Sequence, residues 1–371
     1  DIKEFALDLG FSEAGITHAE PFYEYIDELK SRYEMYSWFI EGRQLLKGAE
    51  PKSLMPEAKS IIVVVQDFCK KSFPEELLGK IGRSYQARAY SAPPHRLNGA
   101  RRQLLKEFLE KNGCKVLADP VIPARLSAAR AGVATYGRNT FAFAKGIGSF
   151  IVISTFLVDK ELEDDEPTKE VKCPPKCTAC MDACPTKAIY EPLRMNPFRC
   201  IAFNTFTTQD GRTGGVSSYI PPDIREKMGS WIHGCDICQE ACPRNQKKLK
   251  ALLPPDEFLV RIARDFDLTK LLKLSDEFFT KRVRPLMYNY ISEKKYFQRN
   301  AAIAMGNTGD TAFVPALGQA MQEAEGLVRS YAAWALGKIG GSQAKQILEL
   351  SLTRETLEPA KKEIEAALAV V

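Results

Sequence analysis

The chain of 371 residues has no long hydrophobic run. Its longest apolar segments are Ile61–Val65 and Phe150–Val158, well short of the roughly 18 residues that cross a bilayer as a helix. The sequence therefore predicts no transmembrane helix, and both segments have the length of buried strands. The chain also begins without the pattern of a signal peptide, so we expect a cytoplasmic protein.

An excess of charge of one sign is also lacking. The 52 Lys and Arg residues nearly balance the 47 Asp and Glu residues, which leaves a formal net charge of +5. A charge this small gives no strong global attraction to nucleic acid, so any surface that binds it must be a local patch. The hydrophobic content of 45% is that of a globular protein, and the length predicts two or three domains.

Cysteine, in contrast, is abundant, and eight of the ten cysteines form one ordered pattern. The pattern is Cys173-x3-Cys177-x2-Cys180-x3-Cys184-Pro185, then Cys200, then Cys235-x2-Cys238-x3-Cys242-Pro243. Eight thiolates are what two 4Fe–4S clusters need, and in the bacterial two-cluster pattern the cysteine before proline ligates the other cluster. The spacing therefore predicts interleaved clusters, one on Cys173, Cys177, Cys180 and Cys242 and the other on Cys184, Cys200, Cys235 and Cys238.

Two other uses of cysteine fit this pattern less well. A disulfide framework is typical of short secreted chains, and structural zinc sites close as two cysteine pairs or with histidine, without the repeated x3-Cys-Pro ending. One departure from bacterial ferredoxins remains, since their first interval is Cys-x2-Cys and here one extra residue lies within Pro174–Lys176. Cys69 and Cys114 lie outside the pattern and are predicted to be ordinary buried thiols.

The patterning along the chain predicts an α+β multidomain protein. Strands and helices alternate over residues 1–165, which indicates an α/β domain in which Ile61–Val65 is a central strand. The cysteines define a ferredoxin-like domain over residues 166–250, entered through a charged linker. Residues 251–371 are predicted to be helical, with helices over Phe258–Leu274 and Asp276–Arg282.

The C-terminal part contains an internal repeat. Gln298–Gly309 (QRNAAIAMGNTG) matches Arg329–Gly340 (RSYAAWALGKIG), and a degenerate third copy ends in Ile364–Val371. Small residues at corresponding positions allow paired helices to pack closely. The period and the pattern are similar to those of HEAT repeats, which stack as helical pairs.

Three segments, read together with these repeats, resemble the epoxyqueuosine reductases. They are Arg130–Thr140 (RAGVATYGRNT), Cys177–Ile189 (CTACMDACPTKAI) and Gly234–Asn245 (GCDICQEACPRN). That family consists of cobalamin-dependent proteins with two iron–sulfur clusters, related to the reductive dehalogenases. The resemblance covers nearly the whole chain.

The resemblance implies an activity and a set of cofactors. Family members reduce the epoxide of epoxyqueuosine to the alkene of queuosine at the wobble position of tRNA. The resemblance assigns base-off cobalamin to the α/β domain, stepwise electron relay to two 4Fe–4S clusters, and help in gripping tRNA to the repeats. A low-potential donor such as ferredoxin or flavodoxin is the expected partner. None of His18, His95 and His233 lies in an Asp-x-His-x-x-Gly pattern, so no protein ligand to cobalt is expected.

The same resemblance suggests two catalytic candidates. The family places its catalytic Asp twelve residues before the Arg-Ala-Gly that starts at Arg130, and here Asp119 lies eleven residues before it. A one-residue deletion makes Asp119 the proton donor, whereas an Asp that only forms a turn is the alternative. Tyr136 is the second candidate, as a proton donor or a wall of the corrin site, with a packed core tyrosine as the alternative.

Four residues are candidates for binding cobalamin. Gly137, Arg138 and Asn139 retain the end of a family motif, and loop capping is their alternative role. His95 stands in Pro93-Pro94-His95 where the family has Asp-Tyr-His, and a surface histidine is its alternative. After the last Cys-Pro, the usual Trp of the family is Arg244 here.

Three basic stretches, Arg96–Arg102, Arg244–Lys250 and Lys281–Arg284, form a candidate tRNA surface. Two other functions stay open. One is a divergent corrinoid reductase that acts on another small electrophile, such as an organohalide. The other is a non-catalytic iron–sulfur electron carrier for a partner protein. Binding of cobalamin separates the carrier from both reductases, and a requirement for tRNA separates the reductases from each other.

Overall fold

The computed structural model describes residues 1–87, 97–168, 173–206, 219–284, 291 and 293–371. His95, one of the predicted cobalamin residues, lies outside the described residues together with Arg96 of the first basic stretch. The strands are β1 (Glu13–His18), β2 (Ser60–Asp67), β3 (Val116–Ala118), β4 (Thr135–Tyr136), β5 (Ala142–Phe143), β6 (Ile151–Val158), β7 (Ile189–Glu191) and β8 (Arg194–Met195).

The N-terminal part is built on one four-stranded sheet with the order β1-β2-β6-β3. All three pairings are antiparallel, with Val63 opposite Gly15 on one side and opposite Thr155 on the other. The strand predicted at Ile61–Val65 is indeed interior to the sheet. The predicted alternation of helices and strands is also present, and the sheet that it forms is antiparallel.

Helices cover both faces of this sheet. They are α1 (Ile2–Asp8), α2 (Tyr23–Ser31), α3 (Tyr33–Gly42), α4 (Leu45–Gly48), α5 (Pro51–Leu54), α6 (Arg83–Gln86), α7 (Leu97–Lys111) and α8 (Ala124–Arg130). Ile61 and Val63 of β2 pack on one face with Ala128 of α8. Ile62 and Val64 pack on the other face, in a core that includes Cys114. This two-sided burial explains why β2 is apolar without alternation.

The cysteine-rich part consists of short elements. They are α9 (Ala179–Ala183), the hairpin β7–β8, α10 (Ile201–Phe206), α11 (Pro222–Arg225), α12 (Ile237–Glu240) and α13 (Gln246–Leu249), with 3₁₀ turns at Pro197–Arg199 and Pro243–Asn245. Helices α9 and α12 pack against each other. These two helices carry the two cysteine runs, so their packing brings the runs together.

The remaining helices are α14 (Glu257–Ile262), α15 (Leu268–Leu272), α16 (Asp276–Phe278), α17 (Lys294–Thr308), α18 (Val314–Ala320), α19 (Gly326–Ile339), α20 (Ser342–Leu352) and α21 (Glu358–Leu368). A π-helical turn spans Phe279–Val283, and 3₁₀ turns span Ala263–Phe266 and Thr311–Phe313. The helix predicted over Phe258–Leu274 is broken because the Asp267 side chain accepts from the N–H groups of Thr269 and Lys270 and starts α15 instead.

The repeat helices α17, α19 and α21 pack on one another in series. A Cβ at Gly306 would lie 2.9 Å from the Ala335 Cα, and a Cβ at Gly337 would lie 2.8 Å from the Ala367 Cα. Glycine therefore stands at matching positions of two repeats because the next helix approaches the backbone too closely for a side chain.

One apolar core joins the repeats to the cysteine-rich part. It contains Ile201 and Ile232 from the cysteine-rich part together with Phe297 and Leu336 from the repeats. The core thus runs across the predicted boundary at residue 250, and the three domain ranges stay predictions. None of the described helices is long and apolar enough to cross a membrane.

Candidate functional site: two thiol sets beneath a loop of the α/β part

Four of the eight patterned cysteines line one small cavity. They are Cys173, Cys177, Cys180 and Cys242, and the cavity is closed on its other side by Gly137, Arg138 and Asn139. Burial and the neighbouring thiols raise the pKa of Cys180 and of Cys242. Mutual electrostatic influence of this kind requires proximity, so the structure assembles the first of the two predicted ligand sets.

The other four cysteines influence one another in the same way. Burial is the main cause that raises the pKa of Cys200, Cys235 and Cys238, and proximity to Cys184 raises each of them further. Cys242 belongs to the first set although it follows Cys238 on the same short segment. The thiols are thus grouped as the prediction from the Cys-Pro endings requires, and their role as cluster ligands stays a prediction.

The raised pKa values bear on metal binding. Iron binds thiolates, so cluster assembly must remove protons that burial keeps on the free thiols. All ten cysteines are free, and Cys69 and Cys114 are buried as predicted. Within the described residues no three Cys, His, Asp or Glu side chains converge on a single-ion site. The first four thiols line a cavity, which fits a cluster with one thiolate on each of four irons.

Backbone and hydroxyl groups are placed against individual sulfur atoms. The Arg138 N–H donates to the Cys173 Sγ at 3.4 Å, and the Ala188 N–H donates to the Cys184 Sγ at 3.3 Å. The Thr186 hydroxyl lies 3.6 Å from the same Cys184 sulfur. Hydrogen bonds to ligand sulfur are among the means by which proteins set cluster potentials, and each thiol set receives at least one.

The segment Gly137–Asn139 holds both cysteine runs. The Arg138 guanidinium donates to the Cys177 carbonyl, and the Asn139 amide donates to the Cys238 carbonyl at 3.2 Å. A Cβ at Gly137 would lie 2.4 Å from the Phe143 ring, which explains the glycine. Sequence reasoning assigned these residues to cobalamin, and that assignment stays a prediction. The contacts that the structure gives them are with the cluster loops.

Asp119 lies directly after β3 in a left-handed conformation, with φ of 47°, which is uncommon outside glycine, asparagine and aspartate. Its N–H donates to the Thr155 carbonyl at 2.8 Å. Its carboxylate, 41% exposed, pairs with Arg102 of α7 at 2.5 Å. The aspartate is thus held at a strand end by one main-chain bond and one ion pair, with its carboxylate accessible to solvent.

Tyr136 occupies the two-residue strand β4, opposite Ala142 of β5. Burial raises the pKa of its phenol to about 12, although the nearby Arg125 works in the opposite direction. The phenol therefore keeps its proton throughout the neutral range, which suits a hydrogen-bond donor better than a group that must ionise.

The two described histidines bear on the expected form of cobalamin. His233 is fully buried, with the rings of Tyr85, Phe206 and Phe297 about it at 4.6, 4.8 and 5.3 Å. His18 is exposed at the end of the edge strand β1. Neither one lines the cavity beside the first four cysteines, and the absence of a protein ligand to cobalt stays a prediction.

Sequence reasoning missed the residues that join the α/β part to the cluster loops. The Arg244 guanidinium donates to the Tyr136 carbonyl at 3.2 Å and to the Thr135 hydroxyl at 2.5 Å. Asn245 bonds to Ser149, and Lys248 pairs with Asp67 at 2.5 Å. Arg244 and Lys248 belong to the stretch that was predicted as a tRNA surface, and this structure directs both inward. In the sequence, the only signal was the place of Arg244 directly after Cys242-Pro243.

Two family models match parts of the chain. The model described as a 4Fe-4S double cluster binding domain matches residues 173–245, and a model of HEAT repeats matches residues 284–369. Both matches confirm the corresponding predictions from the sequence.

Relatives match over nearly the full length. The epoxyqueuosine reductase of Staphylococcus aureus is 30% identical over 376 residues, which cover 96% of this chain and 93% of that protein. Among solved structures, epoxyqueuosine reductase from Bacillus subtilis, with its catalytic aspartate loop swung out of the active site, has a TM-score of 0.84 at 28% identity and covers 100% of this chain and 98% of that one. An epoxyqueuosine reductase in complex with an epoxyqueuosine-modified stem loop of tRNA-Tyr has a TM-score of 0.80 at 29% identity, with coverages of 100% and 97%.

Proposed function

Because the chain belongs to the epoxyqueuosine reductase family, we propose that it reduces the epoxide of epoxyqueuosine in tRNA to the alkene of queuosine. The reaction consumes two electrons and two protons, breaks both C–O bonds of the epoxide and releases water. The observation that carries the proposal is the pair of four-thiol sets directly beneath the Gly137–Asn139 loop of the α/β part. That arrangement places two electron carriers against the part that the family uses for its organic cofactor.

The eight cysteines hold two 4Fe–4S clusters, and the chain takes electrons singly from a low-potential donor of the ferredoxin or flavodoxin class. Cobalamin, when bound, supplies a strongly reducing metal centre for the substrate. Tyr136 and the Gly137–Asn139 loop are the proposed residues of the α/β part that contact it. Since the substrate is a tRNA, we place the enzyme in the cytoplasm.

Asp119 is the proposed proton donor to the departing oxygen. Its carboxylate is accessible to solvent, whereas burial raises the pKa of the Tyr136 phenol and makes that group a weaker acid than usual. The aspartate loop of the Bacillus subtilis relative has been seen swung out of its active site. By analogy, the Arg102–Asp119 pair describes one position of a loop that can take up others.

The test uses anaerobically reconstituted protein with cobalamin, a chemical reductant and a stem loop that carries epoxyqueuosine, and it detects queuosine by mass spectrometry of the digested RNA. Wild-type protein should form queuosine. Asp119→Asn should lower turnover by about 10²- to 10⁴-fold, the usual contribution of a general acid, while both clusters and cobalamin stay bound. Asp164→Asn, a change at an exposed aspartate of the linker, is the matched control.

Two outcomes would contradict the proposal. Wild-type protein that binds cobalamin but leaves epoxyqueuosine unchanged would favour a corrinoid reductase for another electrophile. If cob(II)alamin keeps its base-on electron paramagnetic resonance (EPR) signal beside the protein, the electron-carrier function would be favoured instead. Unchanged turnover in Asp119→Asn would remove this residue from the mechanism without affecting the substrate assignment.

A further inference from the structure

The side chain of Arg244 packs against β4, directly beside the cavity of the first thiol set. Pro243, the residue before Arg244, and Gly137, the residue after its partner Tyr136, both line that cavity. The residue follows Cys242-Pro243 in the 3₁₀ turn Pro243–Asn245. Its guanidinium is fixed by two bonds to β4, one to the Thr135 hydroxyl and one to the Tyr136 carbonyl, and it lies 4.1 Å from the centre of the Phe143 ring. Stacking and two directed hydrogen bonds fix a planar guanidinium well.

The electrostatic partners of this guanidinium are thiols. Burial lowers the pKa of Arg244, and the neighbouring Cys173 and Cys242 act in the opposite direction. An arginine stays protonated under all ordinary conditions. A fixed positive charge, partly removed from water, therefore lies beside two of the four ligands of the first cluster.

Such a charge favours the reduced state of a cluster. An oxidised 4Fe–4S core with four thiolates carries about −2, and one more electron makes it about −3. A nearby cation attracts the more negative state more strongly, and the attraction grows where water is excluded. The Arg138 N–H, which donates to the Cys173 sulfur, acts in the same direction.

We propose that Arg244 raises the reduction potential of the cluster on Cys173, Cys177, Cys180 and Cys242 relative to that of the second cluster. Arg244 thus acts through the first cluster: it favours the state in which the electron resides on the cluster that faces the Gly137–Asn139 loop. The chemical step is the gain of one electron by this cluster from the low-potential donor. The proposal rests on the two-cluster assignment made above, but it does not depend on the identity of the substrate.

The experiment is an EPR-monitored redox titration of full-length protein with both clusters reconstituted and no substrate added. Arg244→Gln should lower the equilibrium constant for one-electron reduction of the first cluster at least tenfold, which corresponds to about 59 mV. The second cluster should change less than threefold and serves as the internal control. Arg244→Lys, which keeps the charge, should restore most of the difference.

Lys247→Gln is the matched control, since it removes an exposed cation of α13 that solvent screens. It should leave both potentials unchanged. If Arg244→Gln fails to retain the first cluster, Thr135→Val takes its place, because it removes the hydroxyl that fixes the guanidinium. That variant should lower the same constant at least threefold.

Three results would overturn the proposal. They are an unchanged first-cluster potential in Arg244→Gln with both clusters present, an equal shift of both clusters, and a lysine variant that behaves like glutamine. Absence of queuosine formation leaves this titration interpretable, since no substrate takes part in it. Failure of the two-cluster assignment would show separately, in the iron content and the spectrum of the wild-type protein.

Discussion

Replacing Asn245 by alanine should loosen the junction between the α/β part and the cluster loops. The side chain is completely buried. Its Oδ1 accepts the Ser149 N–H at 2.9 Å, and its Nδ2 donates to the Ser149 hydroxyl at 2.9 Å and to the Gln239 carbonyl at 2.8 Å. The Ser149 hydroxyl in turn donates to the Gln239 side chain at 2.9 Å. The Asn245 side chain thus connects the segment before β6 with α12, the short helix that contains Cys238.

The expected cost follows from the three bonds. A net contribution of roughly 0.5–1.5 kcal/mol for each bond gives a loss of about 3 kcal/mol in the free energy of opening this junction. The Ser149 N–H and the Gln239 carbonyl would stay buried without these partners, which moves the loss towards the upper end of the range. Asn245→Asp should cost at least as much, because it removes both donated bonds and buries a charge.

Native-state hydrogen exchange is the right assay, because a multidomain chain has no single unfolding free energy. A loss of about 3 kcal/mol should speed exchange of the Ser149 amide by about two orders of magnitude, since each tenfold corresponds to about 1.4 kcal/mol. Asn112→Ala is the control, as that exposed side chain, directly after α7, makes one bond, to the Phe108 carbonyl. An Asn245→Ala protein that loses less than about 1 kcal/mol would refute the role given to this network.

Two further predictions concern the clusters and the repeats. Cys238→Ala should lose the second cluster and keep the first, as counted by iron content and EPR, whereas Cys69→Ala should keep both; two intact clusters in the former would contradict the ligand assignment. Arg225 forms a two-pronged ion pair with Glu363 of α21 at 2.6 and 2.7 Å, largely shielded from solvent. Arg225→Ala should therefore destabilise the docking of the last repeat by about 3 kcal/mol, because Glu363 would lose the partner of its shielded charge. Hydrogen exchange of the α21 amides measures this loss. The exposed Lys281→Ala should leave this stability almost unchanged. An equal loss in both variants would contradict a specific contribution of the Arg225–Glu363 pair to docking.

The double-cluster domain could be predicted because the spacing of its cysteines is fixed by cluster chemistry. Four thiolates must reach four irons, and the Cys-Pro ending signals the exchange between clusters. The groups around the ligands follow no such local rule. Arg138 bonds to a carbonyl 39 positions away, and Asn139 bonds to one 99 positions away. These long-range partners are determined by how the α/β part packs on the cluster loops. A local sequence pattern contains no information about that packing.

The sheet shows a similar limit. An apolar run without alternation, such as Ile61–Val65, indicates a strand covered on both faces, and this expectation holds because helices pack on each side. The same run is compatible with parallel and antiparallel neighbours. Its apolar residues report that both faces of the sheet are covered, whereas strand direction is expressed in the hydrogen bonds along the edges of the strand. Strand direction is set by the long connections between the strands, and the hydrophobic pattern of the sequence does not indicate their course.

The segment Thr135–Asn139 has consequences for how variants of this site are interpreted. Its Thr135 hydroxyl and Tyr136 carbonyl fix Arg244, while Arg138 and Asn139 fix the loops of the two cysteine runs. A substitution there can lower turnover through the clusters without touching a corrin or a substrate. Loss of activity alone therefore cannot assign Arg138 or Asn139 to cobalamin. An unchanged cluster potential together with weakened cobalamin binding can, because the first excludes the cluster contacts as the cause and the second identifies what was lost.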